Sequence, residues 1–229
     1  MSRTPLLPAI PMLLASLACH HVPSTQTAMW QHYQHVGEVQ TAVIEGQLDH
    51  AREASRRVAE HDSLPGLPAE ARPFELALRK QAIAGAEAPD LAAAARATGR
   101  MGASCGACHQ ALQRGPRFGP MGSPEASDRP VSKAMLRHQW GADRMWDGLI
   151  GASDSAWVAG ARAIADPSTY QELFNPRSAR GESMRALAEV LQHAGRRAMS
   201  ETDPERRAAL HAEVLGTCSA CHQLSNAKQ

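Results

Sequence analysis

Two short segments carry the residues most able to do chemistry. Cys105-Gly106-Ala107-Cys108-His109 and Cys218-Ser219-Ala220-Cys221-His222 share the pattern Cys-x-x-Cys-His. This is the attachment spacing of c-type haem. On a helical turn, cysteines three apart share a side and can form thioethers with the two vinyl groups of a porphyrin. The histidine beside the second cysteine then offers its imidazole to the iron. On this reading Cys105, Cys108, Cys218 and Cys221 hold two covalent haems, and His109 and His222 are the proximal iron ligands.

Three other chemistries use these residue types. A Cys₄ zinc site would need both motifs brought together from distant parts of the chain. A thioredoxin-like dithiol needs a βαβ context, and no strand pattern is present. Structural disulfides would leave both histidines without a role.

An electron-carrying haem iron takes a second axial ligand, and two stripes offer one. Met29, His32, Val36, Val39 and Val43 follow spacings of three, four, three and four. Met135, His138, Ala142, Met145 and Leu149 repeat them. Each stripe is one face of a helix, apolar except for its histidine. His32 and His138 are the expected distal ligands, with Met29 and Met135 one turn earlier as alternatives. An open sixth position, merely lined by histidine, is the third possibility. His35 lies off the stripe. His50, His61, His193 and His211 have no histidine at the matching place in the other copy, and His20 and His21 follow the leader, so all read as surface or packing residues. Trp30, Trp140, Trp146 and Trp157 are expected to pack in the core.

The elements that must position these groups are helical. Ala, Arg, Glu, Gln and Leu dominate, and β-branched runs are absent. The pattern predicts helices near 27–46, 48–62, 70–87 and 90–113, then near 132–151, 153–166, 180–200 and 204–223. Asp203-Pro204 and Ser153-Asp154 are good helix starts. Residues 115–131 hold three Gly and four Pro and read as a linker. The halves align: His32 falls on His138, Ile44 on Ile150, and Cys105, Cys108 and His109 on Cys218, Cys221 and His222. The second half is seven residues longer, around Tyr170 to Pro176. Each copy suits a four-helix bundle with short connections. The expected fold is therefore all-α, with two tandem four-helix bundles at 27–114 and 132–224 and a tail at 225–229.

The N-terminus reads as an export signal over residues 1–18. Arg3 precedes an apolar stretch from Pro5 to Ala18, closed by Ser16-Leu17-Ala18. Cleavage there would leave Cys19 first on a tether of residues 19–26. Cys19 is the odd member of five cysteines and a possible lipid attachment point, resembling bacterial lipoproteins. The expected location is periplasmic, or lipid-anchored on the outer side of a bacterial membrane. The 229 residues carry 24 basic and 23 acidic side chains, so no basic field points to nucleic acid. No apolar run is long enough to cross a bilayer. Aromatics are only 4% of the chain, and a buried porphyrin plate would offset that thin supply.

Each half resembles a class II c-type cytochrome, the four-helix group that includes cytochrome c-prime. The resemblance rests on the Cys-x-x-Cys-His motif in the last helix and on a candidate distal residue in the first. It implies a haem packed between first and last helices. Where that family more often has Met or Leu, this chain has His32 and His138. Where the family commonly has a basic residue after the motif, it has Gln110-Ala111-Leu112 and Gln223-Leu224. Each copy is also shorter than usual.

The leading functional expectation is an exported dihaem electron carrier working with redox partner proteins, not an enzyme. The alternative is a small-gas-binding or sensing protein with an open or weakly held iron. A peroxidase would need an open iron and a distal acid–base pair, and no repeat-specific constellation supplies one.

Overall fold

The computed structural model describes residues 24–60, 66–116, 118, 122, 130–169 and 178–226. The leader, Cys19, His20, His21, His61, most of the linker and the insertion at 170–176 lie outside the described residues. Among the described residues there are eight α-helices and no strand. They are α1 (Thr25–Ile44), α2 (Leu48–Glu60), α3 (Arg72–Ala86), α4 (Leu91–Ala111), α5 (Pro130–Ile150), α6 (Asp154–Ala165), α7 (Ala179–Ala198) and α8 (Pro204–Asn226).

Local chemistry explains where they begin. Asp90 accepts from the Ala93 N–H at 2.7 Å, Ser178 from Gly181 at 3.0 Å and Asp203 from Arg206 at 2.8 Å. Each such cap contributes about 1 kcal/mol by satisfying an amide that the helix cannot. Ser24 and Ser153 cap α1 and α6 in the same way. Helix α5 starts at Pro130, inside the expected linker, because proline's fixed φ suits a first turn. Helix α7 has 20 residues where its counterpart α3 has 15, so it starts earlier than repeat symmetry alone would place it.

Within each half, helices adjacent in sequence pack side by side. Between the halves, α4 lies against α8, and α1 and α5 each touch both. One apolar cluster runs through both halves, from Val36, Val39 and Met101 to Met145, Leu149, Ile164 and Val214. The α4–α8 contact is close because Gly99 has no side chain: a Cβ there would overlap the Ala208 carbonyl.

The direction of that contact fixes the layout. Gly99 meets Ala208, while Ala94 and Ala95, further back on α4, share a cluster with Ala212 and Leu215, further along α8. The two helices are therefore antiparallel. Cys105 and Cys218 run away from the contact in opposite directions, and helical rise separates them by about 24 Å along the pair.

Three tryptophans pack as expected and one does not. Trp157 and Trp146 are buried and Trp140 is half-buried. Trp157 donates its Nε1–H to the Ala198 carbonyl at 2.7 Å, with the Arg207 guanidinium over its ring. Trp30 is instead 59% exposed and stacks on Tyr33 at the surface of α1.

Candidate haem sites

Both histidine stripes face inward. On α1, His32, Val36, Val39 and Val43 are buried and Met29 is half-buried. On α5, Ala142, Met145 and Leu149 are buried, with His138 and Met135 half-buried. Helix periodicity puts these histidines on the core side, as the spacing predicts.

The two motifs occupy equivalent environments. Cys105 and Cys218 pack against the main apolar cluster. Burial, helped by the neighbouring Cys108 or Cys221, pushes each of these thiols up to about 12. Cys108 and Cys221 are also raised, chiefly by burial. All four are free, so no disulfide joins them. The separation of the motifs removes the Cys₄ zinc arrangement. Among the described residues no group of three or more His, Cys, Asp or Glu side chains gathers as for a metal ion.

The first motif sits against the end of α5. His109 Nδ1 lies 2.7 Å from the Ile150 carbonyl oxygen and donates to it. That bond fixes the tautomer and leaves Nε2 with its lone pair for a metal. Gly106, between the two cysteines, lies so close to α5 that a Cβ would overlap the Leu149 carbonyl.

The second motif sits between α5 and the end of α1. Gly46, in the turn after α1 with φ +74°, lies against Ser219 and Gln223. His138 and His222 are near neighbours from α5 and α8. Burial pushes His138 down to about 4, with the charge of His222 the next cause and Arg137 the third. His138 is thus held neutral, the form in which imidazole binds a metal. An apolar groove between α7 and α8, lined by Leu187, Val190, Ala220 and Leu224, lies on the opposite face of α8 from Cys218 and His222.

These features fit haem c. The motifs offer four reduced thiols and two histidines, one already oriented by a carbonyl. In the second half a histidine from the first helix, His138, lies close enough to His222 of the motif to feel its charge. In the first half, His32 is buried on the corresponding stripe of α1, which packs on α4.

Sequence reasoning missed two groups. The first is an acidic cluster where α1 meets α5. Asp147 is buried beside the Arg144 guanidinium, with Asp143 one turn earlier on the same helix. Gln40 donates to Asp143 at 3.4 Å, and both carboxylates act on Tyr33. Burial pushes the Asp147 carboxyl up from 3.8 to about 6; Arg144 opposes this and Asp143 adds to it. A carboxyl raised on folding favours the protonated native state. Its stabilising effect is present below 3.8 and lost as pH rises through about 6. Asp147→Asn should therefore gain stability relative to the native chain as pH rises from 4 to 7.5, by at most about 3 kcal/mol, read from urea unfolding at each pH. A constant difference would contradict this.

The second missed group is His211 with Trp146. His211 is fully buried in α8 and stacks on Trp146 of α5, with centroids 5.4 Å apart and planes 28° apart. No histidine stands at the matching place in the first half; Thr98 does, its hydroxyl donating to the Ala94 carbonyl. A sequence signal existed in Gly99, Gly102 and Gly106, which mark one face of α4 for close approach by other helices.

Comparison with protein-family models, with curated proteins and with solved structures finds no match to this chain.

Proposed function

We propose that this chain is an exported dihaem c-type cytochrome that transfers electrons, each iron held by two histidines. The two halves act as tandem four-helix units, α1–α4 and α5–α8, each carrying one haem. Cys105, Cys108 and His109 hold the first, and Cys218, Cys221 and His222 the second. His32 and His138 supply the distal imidazoles. The cofactor, when bound, supplies one-electron chemistry between Fe(III) and Fe(II).

The protein's own part is positioning. The Ile150 carbonyl orients the His109 ring, and the apolar stripes of α1 and α5 keep water from the distal side. A packed helical frame limits the movement that accompanies a change of iron charge. The leader at 1–18 directs the chain to the compartment where thiols and haem are joined, and Cys19 is the candidate lipid anchor. Redox proteins are the partners.

The observation that supports this reading most is the electrostatic influence of His222 on His138, which brings a first-helix stripe of the second half close to its last-helix motif. Pyridine haemochrome absorption of the protein, expressed with a haem-attachment system, should count two haems c per chain. The ferrous protein should not bind carbon monoxide rapidly. Absence of covalent haem would refute the proposal, and rapid carbon monoxide binding at both irons would replace it with a gas-binding role.

A further inference from the structure

The pair formed by Trp146 and His211 lies between the two motifs and has no counterpart by repeat symmetry. Trp146 packs on α4 at Gly102, where a Cβ would come within 2.6 Å of the indole ring. Gly102 is one turn before Gly106 of the first motif. His211 lies on the same face of α8 as the second motif: at 100° per residue, His211, Cys218 and His222 fall within about 40° of one another. The stack thus joins a point beside one motif to the motif-bearing face of the other helix, through the common core of the halves.

Packing alone does not account for the Trp146 side chain. Its Nε1 is buried without a hydrogen-bond partner, and the fully buried His211 ring stacked on it interacts with the Ala142 backbone. Trp157, equally buried, donates its Nε1–H. An unsatisfied buried polar atom is costly, and leucine or phenylalanine would fill the same space without it.

Resting on the dihaem reading above, we infer that Trp146 and His211 form the internal electron path between the two haem sites. One electron leaves Fe(II) at one site and arrives at Fe(III) at the other. No bond forms or breaks, no proton moves, and no co-reactant is needed. The rings are not oxidised; their closely packed π-systems shorten the stretches of saturated packing through which the electron must tunnel. Trp146 and His211 are positioning residues in this sense.

The experiment is performed on the holoprotein poised half-reduced. Electron exchange between haems is read from the broadening of haem methyl resonances, alongside haem count and melting temperature. Trp146→Leu and His211→Leu should each slow exchange by an order of magnitude or more with both haems attached. Trp146→Phe should keep a rate close to that of the unaltered protein. Trp157→Leu, a control buried elsewhere, should lower the melting temperature and leave exchange unchanged. A protein with two haems whose exchange ignores both leucine variants, or slows equally in Trp157→Leu, would overturn this inference and leave the dihaem reading standing. A protein with no haem would overturn both.

Discussion

His138→Ala should convert a protein whose ferrous irons ignore carbon monoxide into one that binds one equivalent per chain. The argument rests on placement. His138 stands on the inward stripe of α5, held neutral chiefly by burial and within reach of the charge of His222 on α8. On the proposed ligation, removing its ring would take away the sixth ligand of the second haem and leave the first untouched. His32→Ala should do the same at the first haem, and the double variant should bind two equivalents. The ferric spectrum should change from low-spin to high-spin in proportion. If methionine were the ligand, His138→Ala would leave the spectrum unchanged and Met135→Ala would open the iron instead. If Met135 moved in to replace the lost histidine, carbon monoxide binding would stay low and the reduction potential would rise, because a thioether favours the ferrous state.

The same substitution made at two glycines should have opposite signs. Gly106→Ala places a methyl group against the Leu149 carbonyl, so the last turn of α5 must move. Forced overpacking of this kind costs about 1–3 kcal/mol. Gly216→Ala, also within a motif-bearing helix, meets nothing within 4 Å. It should gain about 0.5–1 kcal/mol from helix propensity alone. Chemical denaturation of the purified variants separates the two. Gly106→Ala carries a second consequence: Ile150, beside Leu149, provides the carbonyl that orients His109. The spectrum of the first haem should shift while that of the second stays as it was. Equal effects of the two substitutions would show that α4 and α5 are not pressed together as described.

The helices were legible because their signals are local. Ala- and Arg-rich periodic runs, the caps at Ser153 and Asp203, and the proline that opens the last helix each act within a turn or two. All eight helices fall close to their expected bounds. The inward stripes were legible for the same reason, since burial of His32 follows from its spacing to Val36 and Val39. What the halves do to each other was not. The antiparallel α4–α8 contact depends on Gly99 meeting a carbonyl more than a hundred residues away. The burial of His211 depends on Trp146, and that of Asp147 on α1. Trp30 misled because an aromatic ring suggests a core, while this one stays largely exposed on α1 and stacks on Tyr33. The repeat itself hid some of this: matching the halves draws attention to shared positions, and Trp146, His211 and Asp147 are all departures from the match.

The antiparallel crossing of α4 and α8 gives the molecule two terminals. The two motifs lie toward opposite ends of the helix pair, about 24 Å apart along it. A donor docked at one end and an acceptor at the other would not compete for the same surface. A single-haem carrier must release one partner before meeting the next. If this chain carries two haems as proposed, it could hold both at once, and its throughput would be set by the crossing inside it and not by the exchange of partners.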